Sequence, residues 1–441
     1  MLRESSRVSK ASRCRTFLGT NMEEALQAEE GLHFTPDLAI VGAGIAGGAL
    51  AVAAARAGLS VLLLERTTRH EDRVRGEYVP PWGVEEARRL GILDVLLAAG
   101  GHFVKRSVGY GEDIEPSLAE ARAIALDKLL PGVDGALTFG HPQVCTALDE
   151  AALTAGAVLL REVTDIEVSP GVSPFVAFSH AGRRRSVRAR LVVGADGRGS
   201  RIARSMGVQV HSDGSHHLLC GLLTDGAYEW PEERMTIGTE GEIAFYVFPQ
   251  GSGRIRLYAC YPYEQRQRFS GPGNAERLLA AFQLSSVPHS ESLAKARPIG
   301  PCHGYPSGDT WIDRPGVDGV VLIGDAAGHN CPSIGQGLSI AFRDARHIVE
   351  AMVADGAWTD SAFQAYCDER KERMRRLRFV AQLFSALRVE FSPQARDRRT
   401  RAMQRVAADL TVAKPLATTL MGPFAMEADT FSQTAWNRLL A

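Results

Sequence analysis

The feature that most constrains this chain is Gly42-Ala43-Gly44-Ile45-Ala46-Gly47, set between the apolar run Asp37-Leu-Ala-Ile-Val41 and the Ala-rich segment Gly48 to Gly58. A second apolar run, Leu59-Ser-Val-Leu-Leu-Leu64, ends on Glu65. Strand, glycine turn, helix and strand in that order predict a βαβ unit and hence a parallel sheet. Gly42 permits the tight turn, Gly44 lets a pyrophosphate approach the backbone, and Gly47 lets the helix pack on the strand. The helix N-terminus adds free N–H groups and a positive dipole end. Glu65 stands where a carboxylate accepts ribose hydroxyls and disfavours a 2′-phosphate, so the loop suits FAD or NAD rather than NADP. A ligand-free, glycine-rich packing contact is the alternative.

Two further loops repeat the strand-to-glycine pattern. Ala189-Arg-Leu-Val-Val193 runs into Gly194-Ala-Asp196-Gly197-Arg-Gly-Ser200, and Gly319-Val-Val-Leu-Ile323 runs into Gly324-Asp325. An Asp-Gly pair alone is an ordinary turn; at a strand end in the same sheet style, Asp196 becomes a candidate ligand contact. Asp325 at a strand's carboxyl end can accept from a polyol hydroxyl. Gly335 and Gly337 let backbone approach a flat ligand, and a helix starting near Leu338 aims its N-terminus at a ring, stabilising negative charge there. A reduced flavin carries such charge and a nicotinamide does not. The alternative is a turn with Asp325 as an N-terminal cap.

Composition excludes several classes. The net charge of −1 marks neither a nucleic-acid nor an anionic-membrane binder. Seven scattered cysteines, with no C-x-x-C pair, read as reduced intracellular thiols in a cytoplasmic protein with no metal site. No long uncharged apolar run predicts a membrane-spanning helix. Residues 1–36 read as a leader, disordered or with a misassigned start at Met22, since its first part is basic and Ser-rich with Glu4 as its one acid. Helices are expected over Val84 to Ala99 and after Gln143. Met235 to Pro262 reads as an antiparallel meander, and the chain from Phe342 onward as helical.

Taken together, the three loops in this order resemble the FAD-dependent class A monooxygenases, the para-hydroxybenzoate hydroxylase group, from about Asp37 to Val353. The resemblance implies an α/β fold: a Rossmann-like FAD-binding domain with a parallel sheet (37–110, 138–212 and 300–355), an inserted antiparallel-sheet substrate domain (111–137 and 213–299) and a C-terminal helical region (356–441). It implies that Gly42, Ala43, Gly44, Ile45, Ala46, Gly47, Glu65 and Arg66 hold the ADP part of FAD. Asp196 would lie near the pyrophosphate and Asp325 at the ribityl hydroxyls. Gly335, Gly337 and Leu338 would present backbone to the flavin, with Pro332 on the ring face. Arg75 matches a cofactor-contacting Arg, the alternative being a solvated loop charge. His141 occupies a slot near the ribityl-phosphate, the alternative being a capping or core histidine. The implied reaction uses NADH or NADPH and O2, through a flavin hydroperoxide, to hydroxylate or epoxidise an aromatic or unsaturated small molecule.

Two departures bear on the reaction. Gly328 and Ser339 stand where that family commonly has His and Asn, with His329 shifted by one. With Arg75-Gly-Glu77-Tyr-Val-Pro80, these features are similar to flavin-dependent halogenases and geranylgeranyl reductases. The halogenase Trp pair is missing, Trp230 and Trp311 being isolated, while Lys105 is present. A non-redox FAD-binding protein is the reading from another class.

In the substrate half, Glu242 to Gln250 and Arg254 to Tyr258 read as paired strands, with Arg254, Arg256 and Tyr258 on one face and Ile255 and Leu257 on the other. Tyr246, Phe248 and Arg256 are candidate pocket residues, or else sheet core. The basic run Lys371 to Arg378 reads as a solvated helix face.

Overall fold

The four-residue strand Leu38–Val41 is buried along its whole length, which explains its unbroken apolar run. It pairs in parallel with Leu191–Gly194 on one side and Val61–Leu64 on the other. The full six-stranded sheet runs Gly316–Val317, Val320–Leu322, Leu191–Gly194, Leu38–Val41, Val61–Leu64, Val158–Leu160, antiparallel only at the first pair. This computed structural model describes residues 35–354 and 360–440, so nearly all of the leader expected over 1–36 lies outside the described residues.

Alternation splits the sheet between two cores. Leu38 and Ile40 face the helices Ile45–Arg56, His141–Thr154 and Gly337–Ala354. Ala39 and Val41 face a three-stranded antiparallel sheet, Thr164–Ser169, Phe175–His180 and Arg183–Arg188, which contributes Val168, Val176, Phe178 and Val187. The helix expected over Val84 to Ala99 is two helices, Pro81–Leu90 and Leu93–Ala98. Gly91 caps the first at φ 76°, the left-handed conformation that ends a helix.

The meander forms as expected. Arg234–Glu240, Ile243–Pro249 and Ile255–Pro262 are antiparallel neighbours in a larger sheet that also contains His217–Asp225 and Arg106–Gly111. One face packs Phe245, Val247, Leu257 and Ala259 against Leu278 and Phe282. The opposite face carries Ala244, Tyr246, Phe248, Tyr258 and Cys260, toward Phe384 and Leu420 of the tail. That tail is helical, with Asp360–Arg388, Pro393–Ala408, Lys414–Met421 and Gln433–Leu440.

The basic run corrects the expectation of a solvated face. Arg373 is fully buried, donating to Asp344 at 2.7 Å and to Glu369 at 2.9 Å, and Arg376 is mostly covered. These partners come from chain neighbours and from another helix, which makes burial of the charge tolerable. Arg375 does face solvent, paired with Glu372. Among the described residues, no helix is long and apolar enough to cross a membrane.

Candidate functional site

At the first loop each glycine has a separate geometric reason. Gly42 has φ +106°, and a Cβ there would stand 2.4 Å from the Ala195 carbonyl oxygen. At Gly47 a Cβ would meet the Gly42 oxygen at 1.8 Å, so helix and turn close only on glycine. A Cβ on Gly44 would meet nothing within 4 Å and would enter a cavity of about 1390 Å³. Glu65 locks the loop from behind. Its Oε2 accepts the Ala43 amide at 2.8 Å, and its Oε1 accepts the Thr67 amide and hydroxyl at 2.8 and 2.7 Å. Burial opposes the Glu65 charge, but the Thr67 and Ala43 bonds outweigh it and hold the carboxyl below its usual range. Ile45, Ala46 and the exposed Arg66 line the same cavity; Ala43 and Gly47 lie behind it.

The Gly324-Asp325 loop opens on the same cavity. Asp325 accepts from Arg198 Nε at 3.2 Å, and Arg198 also lies over the Tyr305 ring. Arg75 stands beside them; burial, then repulsion by Arg198, pulls its pKa below the ordinary guanidinium value. Gly335 has φ +65°, and its Cβ would press on the Tyr78 ring at 2.9 Å. Gly337, like Gly44, faces open space, and it starts the helix Gly337–Ala354. Pro332, Gly335 and Leu338 line the cavity here.

The remaining candidates divide. His141, the first residue of its helix, lines the cavity and is pushed to about 4 by burial, so it is a neutral imidazole near pH 7. Asp196 also lines it, but its carboxylate accepts from Ser200 Oγ at 2.5 Å and from the Arg201 amide at 2.8 Å, so it organises its own turn. Tyr246 and Phe248 face the cavity, with Phe248 stacked on Tyr78 at 4.7 Å. Arg256 does not reach it. Its guanidinium is fully buried, donating to Glu77 at 2.7 Å and Asp72 at 2.6 Å, while the Tyr258 hydroxyl takes the other Glu77 oxygen. Lys105 is likewise away from the cavity, paired with Glu233 near the surface.

The two departures have packing causes. A Cβ on Gly328 (φ +106°) would sit 2.6 Å from the Thr310 oxygen, so His cannot stand there; His329 instead bonds Thr310 Oγ1 at 2.8 Å. Ser339 lies under Gly83, where an added Cβ would meet its hydroxyl at 2.0 Å. A larger residue at 339 would separate the two helices.

Sequence reasoning missed Arg198, and it missed the wall that the tail supplies. Phe384, Leu387, Met403, Val406, Leu416 and Leu420 close the cavity opposite the antiparallel sheet. Helical spacing marks these as inward-facing but does not separate a core from a chamber.

The cavity thus has a glycine cradle at each of two loops, a carboxylate at each, and an apolar chamber beyond the second. A long, two-ended cofactor fits the polar part: the open spaces before Gly44 and Gly337 leave room for a ligand to approach the backbone. The chain is a flavoprotein of α/β fold and belongs to the FAD binding domain family, whose match covers residues 35–379. It is 28% identical over 332 residues to the squalene epoxidase of Aspergillus fumigatus, covering 73% of this chain and 67% of that one. With digeranylgeranylglycerophospholipid reductase 1 of Methanococcoides burtonii the identity is 24% over 346 residues, covering 77% and 79%. The fold matches p-nitrophenol 4-monooxygenase PnpA from Pseudomonas putida with a TM-score of 0.71 at 18% identity, over 88% of this chain and 98% of that one. The chain spans only 53% of the length of the mouse squalene monooxygenase that it also matches.

Proposed function

We propose that the protein is a monooxygenase that draws electrons from NADH or NADPH through FAD and transfers one atom of O2 to an apolar aromatic or unsaturated small molecule. The observation that carries this reading is the apolar chamber continuous with the flavin-binding loops. Tyr246, Phe248, Met235 and Ile237 line one side, and Phe384 and Leu387 the other. When bound, FAD supplies the two-electron chemistry and the activation of oxygen.

The chain's own groups bind, orient and exclude water. Gly42 to Gly47 would cradle the pyrophosphate at a helix N-terminus, with Ala43, Ile45 and Ala46 shaping the turn. Glu65, ionised and fixed by Thr67, would accept the ribose hydroxyls, and Arg66 would close the rim. Asp325 would accept ribityl hydroxyls, steered by Arg198. Gly335, Gly337 and Leu338 would offer backbone to the ring, Pro332 its face, and Arg75 and His141 a cation and a neutral donor along the chain of phosphates. Tyr246 and Phe248 would hold the substrate carbon in a water-poor space, where a reactive oxygen species is spent on substrate instead of hydrolysis.

The test is spectroscopic. Purified protein should be yellow, should bleach with NADH or NADPH once a substrate is present, and should recover colour with O2 while product gains one 18O atom from 18O2. Reduction of a substrate double bond without O2 favours the second reading, a reductase, which the similarity to the archaeal reductase and the apolar chamber support equally. Colour that no nicotinamide bleaches sinks the nicotinamide-dependent monooxygenase, and a substrate double bond left unreduced by the reduced flavoprotein sinks the reductase.

A further inference from the structure

We propose that Arg388 is the anion-recognition residue of the substrate chamber, and that the natural substrate carries a carboxylate on its apolar body. The proposal rests on the chamber being the substrate site, as argued above. Arg388 ends the helix Asp360–Arg388, and its carbonyl is fixed by the Thr239 hydroxyl at 3.0 Å. Its side chain lines the cavity, with Nη2 3.5 Å from where a Cβ on Gly109 would stand.

Several other arginines of the tail have acidic partners. Arg370 and Arg373 pair with Asp344, Arg376 with Glu372, and Arg398 with Glu390. Arg388 has none: among the described residues its guanidinium makes no hydrogen bond and no ion pair; burial first, and then the neighbouring cation Arg399, pull its pKa below the ordinary guanidinium value, with Tyr246 opposing them. Arg399 is itself turned to the Leu387 and Glu390 carbonyls. Ile237, which pairs with Gly109, and Leu387, Met403 and Val406 give the same cavity apolar lining. A guanidinium keeps its charge even there, and a half-buried charge that opens on a largely apolar cavity without a counter-ion marks a place for one.

A second polar group stands in the same row of the sheet: Tyr246 pairs with Ile237, and Ile237 with Gly109, and all three line the cavity. The buried Tyr246 hydroxyl has no nitrogen or oxygen partner, only the Cys260 thiol beside it, and it feels the Arg388 charge. A planar fork plus one hydroxyl suits a carboxylate, and a single guanidinium balances a monoanion better than a phosphate. The distance is also informative. Phe384, one turn before Arg388 and so roughly 6 Å away along the helix, packs on Cys331 and Ile334 of the loop proposed to face the flavin. An acid held by Arg388 would present a carbon several bonds from its carboxylate to that loop.

The test uses FAD-loaded protein titrated with dodecanoate and with dodecan-1-ol, followed by calorimetry and by perturbation of the flavin absorbance. Wild type should bind the acid more tightly than the alcohol. Arg388→Met should weaken the acid about 10- to 100-fold, the size expected for charged hydrogen bonds, and leave the alcohol within about threefold. Arg388→Lys, which keeps the charge without the fork, should lose less, and Tyr246→Phe should lower the acid selectively. Equal loss of both ligands, no preference in wild type, or no binding of dodecanoate overturns the proposal. If Arg388→Met fails to fold or to retain FAD, the Lys and Tyr246→Phe variants decide on the same criterion. Selective acid binding without any nicotinamide oxidation would sink the monooxygenase reading and leave this one standing. Turnover of neutral substrates with no acid preference would do the reverse.

Discussion

The Gly324 amide donates to Asp344 Oδ2 at 2.8 Å, tying the second glycine loop to a carboxylate that is completely buried. Asp344 in turn accepts from Arg370 and Arg373, and Arg370 donates to the carbonyls of Gly324, Ala327 and Gly328 at 3.0, 2.8 and 3.0 Å. One buried arginine therefore gathers three carbonyls of a loop that has no regular ladder to satisfy them. The loop's shape is set from behind, by the tail helix, before any ligand arrives.

Removing Asp344 should accordingly be severe. Asp344→Ala leaves two buried guanidinium groups short of a counter-ion, and the apo-protein should lose about 3–5 kcal/mol in urea unfolding. Arg370→Met should cost less in stability but loosen FAD retention, read as flavin released on gel filtration. Unchanged FAD affinity in a folded Arg370→Met would show that the loop holds its shape without the arginine.

The first loop separates binding from folding. Gly44→Leu adds a side chain in open space, so the apo-protein should unfold within about 1 kcal/mol of wild type while losing FAD. Gly47→Val must push against the Gly42 carbonyl, where a Cβ would stand at 1.8 Å. It should be insoluble or strongly destabilised with or without flavin. A Gly44→Leu protein that retains its flavin would refute the cradle.

The shapes of these loops were legible in the sequence because close backbone approach requires glycine, and glycine spacing records it directly. Glu65 and Asp325 were legible for a similar reason: each ends a short apolar strand. Arg256 shows the limit. Alternation correctly gives it the face of the sheet shared with Tyr246 and Phe248, but its partners Glu77 and Asp72 come from a distant loop, and no local pattern reports them. Arg373 fails for the same reason, since a basic run looks solvated until Asp344 is brought to it. Phe384 and Arg388 share the helical spacing of ordinary core residues, so the chamber they line appears only when the tail is folded over the sheet.

Arg256 gives a direct check on its structural role. Arg256→Met strands Glu77 and Asp72 and should cost about 3–5 kcal/mol, whereas Arg256→Leu with Glu77→Leu should recover much of that loss, because paired removal leaves less buried charge uncompensated. Substrate affinity in any folded variant should move little, since Arg256 does not line the cavity. A large loss of substrate affinity with stability intact would return Arg256 to the pocket.

A pH dependence follows from Asp309, whose Oδ1 accepts from Asn330 Nδ2 at 2.9 Å and from the Cys331 amide at 2.6 Å, next to Pro332. Burial raises its pKa from 3.8 to about 6, against the pull of those two donors. The folded state thus holds a proton that the unfolded chain has already released between these values. Its stabilising contribution is complete below pH 3.8 and is lost as pH rises toward 6. Over that window the wild type should lose on the order of 3 kcal/mol more than Asp309→Asn, which keeps an oxygen for both donors and does not titrate. Urea unfolding of both proteins from pH 4 to 7 measures the difference, and parallel curves would show that Asp309 is ionised throughout in the folded state.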